Sequence, residues 1–322
     1  MINDPALSDY IRGVLCKTVG DDRCRGTRIY VLRVAAFNAT MSPNGTLQIW
    51  SGLLLRIRNE AELAAVLGHE FAHFERRHSL ASYRHARGAT DILAWTALLG
   101  SVGLPAQLAA LNSLFTHDRN QEREADILSM QYLLASPYNP QCFADIWERM
   151  MNEADATASG RKQRSTRYDR TAFFASHPTD LQRAGYLRMS AGSKTGDDAE
   201  ASYRDALAKW RPQFLDDQLK LNDFGGTEYL LGQLARSGWT TDLLFARAEL
   251  YRMRGNPRDL VSAADFYRQA LALSPDNAEV YRGLGMALLR GGNAAEGKEA
   301  LRHYLTLRPD AQDAAMITVL SQ

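Results

Sequence analysis

The sequence is poor in cysteine, has no long apolar run and carries no excess charge of either sign. Its 322 residues include 3 cysteines, and 38 basic residues nearly balance 37 acidic ones. The formal net charge of +1 gives no global attraction for nucleic acid, so we expect no nucleic-acid partner. With 45% hydrophobic residues, the composition is that of an ordinary globular protein long enough for two domains.

The most apolar stretch, residues 89–115, is too interrupted to predict a membrane-spanning helix. Such a helix needs roughly 18–20 apolar residues in a row. We therefore predict no transmembrane segment. We expect two buried helices with a turn at residues 100–105 or, alternatively, a hairpin that faces a membrane surface or a substrate. The interruptions are Gly100, Gly103, Pro105, Gln107 and Asn112.

The cysteines and the start of the chain bear on the cellular compartment, and both leave two possibilities open. Cys16 and Cys24 are close enough in sequence to close a short disulfide loop, but two reduced thiols would give the same sequence. Cys142 stands alone. The first residues lack the basic leader and apolar stretch of a secretory signal. We expect either a cytoplasmic protein or the mature form of an exported one.

Residues 1–30 predict a helix followed by a turn, and strand signals come next. β-branched and aromatic residues are enriched in residues 28–34 and 46–50, and Asn44-Gly45 between them favours a tight turn. These segments predict a small antiparallel sheet. The edge near residues 47–50 is expected to be open to pairing with an extended peptide backbone.

The next helix carries two histidines in a metal-binding spacing. Asn59 is a favourable N-cap, and Glu62 is placed to complete a capping box. His69 and His73, at i and i+4, project from one face, so both imidazoles reach a single ion. Glu70 between them is placed to take a proton from a water molecule on that ion.

A second helix, predicted over residues 117–135, offers the third ligand that a catalytic zinc needs. Glu122 and Asp126 share a face, so one carboxylate is available to the metal and the other to a ligand histidine. Glu124 points elsewhere and is predicted to be a surface charge. His78 has the wrong phase for the ligand face and is predicted to be structural.

The C-terminal part of the chain is repetitive. Pro275 and Pro309 lie 34 residues apart, which is the period of a tetratricopeptide repeat. A Gly-Asn pair at residues 292–293 lies between them, and an earlier pair at residues 255–256 marks a preceding copy. We predict two such repeats, and residues 205–237 are a candidate for a degenerate third. So few repeats need a neighbour to cover their ends.

Several of these segments together resemble one family. Residues 60–73, 122–126 and 176–178, followed by Arg183, are similar to the gluzincin family of the CAAX prenyl-proteases and the bacterial heat-shock membrane peptidase. Residues 37–53 also match that family's pattern. With the added repeats, the chain most resembles its soluble periplasmic branch, the β-barrel assembly-enhancing proteases of Gram-negative bacteria.

The resemblance implies a fold and a set of site residues. The fold class is α+β, predominantly α. It comprises a zincin-like metallopeptidase domain with a small antiparallel sheet over residues 1–195, then a tetratricopeptide-repeat α-solenoid over residues 196–322. One Zn²⁺ per chain is expected. The implied site has His69, His73 and Glu122 on the metal, Glu70 as general base, Asp126 as the partner of a ligand histidine, and His177 facing the metal, where it stabilises the tetrahedral intermediate or fills the fourth zinc position at rest.

The expected function is hydrolysis of peptide bonds in unfolded or misassembled proteins, in quality control of the bacterial envelope. Substrates are proteins or peptides, and the repeats recruit clients or the outer-membrane protein assembly machinery. The implied location is the periplasm, and peripheral contact with a membrane is compatible with it. A cytoplasmic location is the alternative. A hypothesis of a different class is a chaperone-like or scaffold protein with a latent zinc site.

Overall fold

The structure is a computed structural model that describes residues 1–97, 104–165, 168 and 180–322. The chain divides into two compact units. The first comprises Met1–Asn152 and Ser165–Phe214, and the second comprises Glu153–Arg164 and Leu215–Gln322. The domain boundary between residues 195 and 196 stays a prediction.

The first unit combines one small sheet with a larger number of helices, which confirms the predicted α+β, predominantly α class. Two helices, α7 and α10, contribute residues to both units. The described elements are α1 (Pro5–Val19), α2 (Asp21–Cys24), β1 (Arg28–Leu32), β2 (Ala39–Met41), β3 (Thr46–Trp50), α3 (Ser51–Arg56), α4 (Glu60–Glu75), α5 (His78–Ala97), α6 (Leu104–Ala135), α7 (Cys142–Gly160), α8 (Asp180–Ala191), α9 (Glu200–Leu207) and α10 (Arg211–Leu219).

The sheet is mixed, and β3 is its central strand. β2 pairs with β3 in the predicted antiparallel sense, with Thr40 opposite Gln48, whereas β1 pairs with β3 in parallel. β1 and β3 run in parallel because the chain reverses direction twice between them, once before β2 and once after it. Since β3 is paired on both sides, the expectation of an open edge at residues 47–50 is wrong. The strands at the two edges of the sheet are β1 and β2.

Helix α4 is buried almost all round its first three turns, because α1, α6 and β2 pack on its different sides. Asn59 caps it as predicted by accepting a hydrogen bond from the Glu62 N–H at 2.8 Å. The Glu62 carboxylate accepts instead from the N–H of Arg58, one residue before the expected position, at 2.9 Å. A helix enclosed in this way holds its side chains in fixed directions.

Helices α5 and α6 pack against each other, and the segment between them, residues 98–103, lies outside the described residues. The side chains of residues 104–117 also lie outside that description. The choice between two buried helices and a surface-facing hairpin therefore stays open. Within the described residues, no helix contains an apolar stretch that could span a membrane.

The cysteines take two different states. Cys16 and Cys24 form a disulfide that joins α1 to α2, which decides between the two possibilities left open by the sequence. Cys142 is a buried free thiol. Its sulfur lies 3.3 Å from an Asp198 carboxylate oxygen and accepts a hydrogen bond from the Asn59 side chain.

The second unit contains successive helical hairpins, as the repeat pattern predicts. Close helix contact depends on glycine at two positions: a Cβ at Gly283 would lie 2.5 Å from the Tyr267 ring, and one at Gly285 would lie 2.6 Å from Leu301. The elements that follow α10 are α11 (Phe224–Leu234), a 3₁₀ turn (Ala235–Ser237), α12 (Thr241–Arg254), α13 (Pro257–Leu273), α14 (Ala278–Arg290), α15 (Ala294–Leu307) and α16 (Ala314–Leu320).

Gly285→Ala is expected to destabilise the repeats. The added methyl group has to displace the Leu301 side chain, and overpacking of this kind costs about 1–3 kcal/mol of unfolding free energy. The matched control is Gly232→Ala in α11, where the methyl group meets no atom within 4 Å. The control should gain up to about 1 kcal/mol from helix propensity. Urea unfolding followed by circular dichroism measures both, and equal shifts for the two variants would contradict the packing argument.

Candidate metal centre

Helices α4 and α6 bring three predicted ligand side chains to one point. The Nε2 atoms of His69 and His73 lie 3.1 Å apart. The Glu122 carboxylate approaches both: one oxygen lies 3.2 Å from His73 Nε2 and the other 3.6 Å from His69 Nε2. His69 is buried, and the other two are partly buried at the wall of a cleft.

The spacing of these atoms fits a small tetrahedral ion. Zn²⁺ binds imidazole nitrogen and carboxylate oxygen at about 2.0–2.2 Å, so two ligand atoms on a tetrahedron lie about 3.3–3.6 Å apart. The observed separations of 3.1, 3.2 and 3.6 Å are close to that range. Two neutral nitrogens and one carboxylate form a donor set that zinc commonly takes in catalytic sites.

Asp126 lies behind His69, on the side away from the ligand cluster. Its Oδ1 atom is 2.9 Å from His69 Nδ1, although the approach is poorly aligned for a hydrogen bond. Arg183 donates to both carboxylate oxygens at 2.6 and 2.9 Å, and Tyr186 donates its hydroxyl. Burial alone would raise the pKa of Asp126, but Arg183 and His69 outweigh burial and lower it to about 2.

The carboxylates of Asp126 and Glu122 control the protonation of His69. Burial lowers the pKa of this imidazole, but the Asp126 and Glu122 carboxylates outweigh burial and raise it to about 10. A proton on Nε2 therefore fits between the imidazole and Glu122 when no ion is there. Metal binding requires an unprotonated Nε2, so a bound ion takes the place of this proton and releases it.

His78 and Glu124 are closer to the centre than the sequence predicts. His78 Nδ1 lies 3.0 Å from His73 Nδ1, and His78 Nε2 lies 3.3 Å from a Glu124 oxygen. Glu124 is a half-exposed charge, but it also contacts Arg76. The helix phase of His78 argued against a site role, yet α4 ends at Glu75, and the new helix α5 points its first residue back at His73.

Glu70 lines the cleft beside the ligands. The cleft has a volume of about 510 Å³. Burial raises the pKa of the Glu70 carboxyl above its ordinary value. A carboxyl group with a raised pKa is suited to exchange protons with water near neutral pH. Besides the site residues, the cleft is lined by Phe37, Asn38, Ala39, Thr40, Met41, Leu53, Val66, Ser79, Phe143, Trp147 and Arg183.

His177, which the resemblance places opposite the metal, lies outside the described residues, and its role stays a prediction. Arg183, further along the same segment, is described. Its guanidinium stacks on the Trp147 ring, with Cζ 3.7 Å from the ring centre, and also lies 3.6 Å from a Glu122 oxygen. Arg183 therefore contacts both Glu122 and Asp126. No periodicity marks Trp147 or Tyr186, because their contacts cross between distant segments.

Only one other cluster of potential metal ligands occurs among the residues that the structure describes. It consists of Cys16, Asp21 and Cys24. Both sulfur atoms of that cluster are used in the disulfide, which leaves a single carboxylate. The cluster formed by His69, His73 and Glu122 is thus the candidate metal centre.

The fold and this centre define a metallopeptidase, and sequence comparison identifies the family. Residues 23–191, more than half of the chain, match peptidase family M48. The chain belongs to peptidase family M48, as the resemblance predicts. Residues 257–321 match the tetratricopeptide repeat, which confirms the prediction for the C-terminal part.

Similar proteins are named proteases. The β-barrel assembly-enhancing protease of Escherichia coli is 28% identical over 169 residues, which cover 48% of this chain and 34% of that protein. The mitochondrial metalloendopeptidase OMA1 of Schizosaccharomyces pombe is 31% identical over 159 residues, which cover 48% of this chain and 44% of that protein. The chain thus spans about a third to under a half of the length of these relatives.

Asp126→Asn is expected to weaken metal binding. The amide keeps the size of the side chain but removes the negative charge behind His69, and the loss of such a partner lowers metal affinity by about 10–100-fold. Competition with a zinc-binding dye measures the affinity, and circular dichroism checks that the variant is folded. The control is Asp91→Asn, which changes an exposed carboxylate of α5. Equal affinities for the two variants would contradict this assignment.

Proposed function

We propose that the chain is a zinc-dependent endopeptidase that cleaves unfolded or misassembled proteins. The observation that carries the proposal is the convergence of two imidazole nitrogens and the Glu122 carboxylate within 3.6 Å of one another, beside Glu70 in an open cleft. Membership of family M48 supports peptide-bond hydrolysis as the reaction class.

In the proposed mechanism, His69, His73 and Glu122 would hold Zn²⁺, which would act as a Lewis acid when bound. The Glu70 carboxylate takes a proton from the attacking water and passes it to the leaving amine. Its raised pKa suits both transfers, because the protonated acid persists long enough to serve as a donor.

Two further residues complete the proposed mechanism. Asp126 holds His69 in the tautomer that presents Nε2 to the metal. His177 stabilises the negative charge that develops on the carbonyl oxygen during attack. In a resting state, the same histidine would fill the fourth zinc position.

A substrate backbone is proposed to pair with β2, the strand at the cleft. In the antiparallel ladder with β3, Trp50 donates to the Asn38 carbonyl and Ser42 donates to the Thr46 carbonyl. Hydrogen-bonded pairs alternate along such a ladder, so the peptide groups of Ala39 and Met41 point away from β3. Both residues line the cleft. An extended peptide added there would lie alongside Glu70.

Ala39→Pro is expected to slow cleavage without loss of metal. Proline removes one outward N–H but leaves the bonds between β2 and β3 in place, because residue 39 is not in a hydrogen-bonded pair. The loss of one substrate hydrogen bond, about 1–1.5 kcal/mol, lowers kcat/KM by roughly tenfold. The control Ala39→Gly keeps the N–H. Equal peptide cleavage by the two variants, with equal zinc content, would rule out pairing on β2.

The proposal extends to location and partners. The Cys16–Cys24 disulfide favours an oxidising compartment, in agreement with the bacterial envelope. We propose residues 1–195 as the peptidase part and residues 196–322 as the part that recruits clients or outer-membrane assembly machinery. Tetratricopeptide repeats are protein-binding modules, and the name of the Escherichia coli relative refers to β-barrel assembly.

The alternative is a chaperone-like or scaffold protein whose zinc site is latent. The repeats favour it, since client binding alone would explain them. This alternative becomes compatible with proteolysis if His177 blocks the fourth position on zinc until a partner displaces the histidine.

Casein degradation by the native chain, Glu70→Gln and His177→Ala distinguishes these proposals. Glu70→Gln is expected to lose activity by a factor of about 10² or more while it keeps its metal, because the amide accepts no proton. His177→Ala should gain activity if that histidine blocks the centre, and should lose activity if it acts only in the reaction. The control Glu75→Gln, at the exposed end of α4, should behave as the native chain. Zinc-bound protein that is inactive in every form would support the scaffold.

A further inference from the structure

His78 lies directly behind His73, on the side away from the candidate metal. We propose that His78 is a positioning residue that holds His73 in its metal-binding tautomer and is itself oriented by Glu124. The inference rests on the proposed zinc peptidase and deepens it, because it identifies the partner of the second ligand histidine. Asp126 serves the first.

The contacts define one consistent arrangement of protons. His73 binds the ion through Nε2, so its own proton has to reside on Nδ1. His73 Nδ1 then donates to His78 Nδ1, 3.0 Å away, which has to be unprotonated to accept. The remaining proton of His78 resides on Nε2, which faces a Glu124 oxygen at 3.3 Å. In this arrangement, the ring N–H groups of His73 and His78 therefore each face an acceptor.

The surroundings of His78 limit its movement. It is 5% exposed and is the first residue of α5. The buried Gln121 on α6 donates its side-chain amide to the His78 carbonyl at 3.3 Å and accepts from the Ser82 hydroxyl at 2.7 Å. Backbone and side chain of His78 are thus both tied to α6, the helix that carries Glu122. A ring held in this way fixes the plane of the His73 ring in turn.

The two ligand histidines are therefore supported by different means. His69 meets a carboxylate directly, and that carboxylate is fully buried. His73 meets an imidazole, and the chain of contacts ends at Glu124, which is half exposed and also lies 3.2 Å from Arg76 Nε. The three acidic residues at alternate positions on α6 thus all belong to the centre. Glu122 reaches the metal position, and Asp126 and Glu124 lie behind its two histidines.

The test is the effect of substitution at residue 78 on zinc affinity, measured by dye competition on the full chain. His78→Phe keeps a ring but offers no acceptor to His73, and it should weaken zinc binding by about 10–100-fold. His78→Asn places an amide oxygen where Nδ1 stands and should recover most of that loss. The matched control, His303→Phe, changes an exposed histidine of α15 in the second unit and should bind zinc as the native chain does.

A second measurement uses the native chain and does not depend on a folded variant. Nitrogen-15 spectra of the zinc-loaded protein report which ring nitrogen of each histidine carries the proton. The expected pattern is a proton on Nδ1 of His73 and on Nε2 of His78. A proton on Nδ1 of His78, or zinc affinity unchanged in His78→Phe, overturns the inference. A native chain that binds no zinc refutes the proposed function instead, so the two failures are distinguishable.

Discussion

The candidate centre depends on one requirement, that two imidazoles on the same helix present unprotonated Nε2 atoms to the same point. Such an arrangement is unfavourable on its own, because two lone pairs and a carboxylate then face one another at about 3 Å. In the surrounding structure, a residue on the opposite side of each ring holds that imidazole in the required orientation. Asp126 lies behind His69 and His78 lies behind His73. The enclosure of α4 by neighbouring elements prevents the helix from relaxing away.

Much of the centre could be predicted because its information is local. The spacing of His69, Glu70 and His73 determines which side chains share a face of a helix, and the same argument relates Glu122 to Asp126. The cap at Asn59 also follows from short-range chemistry. The repeat period and the pairs of helices that it implies could be predicted equally well, since each repeat packs mainly against its neighbour in sequence.

Other features could not be predicted, because they arise from contacts between segments far apart in the chain. Strand alternation predicts which residues form a strand but not which strand is central. An open edge is therefore predicted at β3, whereas the edge strands are β1 and β2. The phase of His78 on a continuous helix argues against a site role, but α4 ends before this residue. Arg183 lies 57 residues from Asp126, with no periodicity to relate them. The family resemblance marked Arg183 but gave no indication of its partner.

The alternation of peptide groups along β2 bears on how a peptidase of the proposed kind could tell damaged chains from intact ones. The outward groups of Ala39 and Met41 can be satisfied only by main-chain donors and acceptors that are not already in use. In a native protein almost all such groups are engaged in the protein's own helices and sheets. Docking on this strand would then select for loss of structure rather than for any particular residue, and a correctly assembled neighbour would be spared without needing to be recognised.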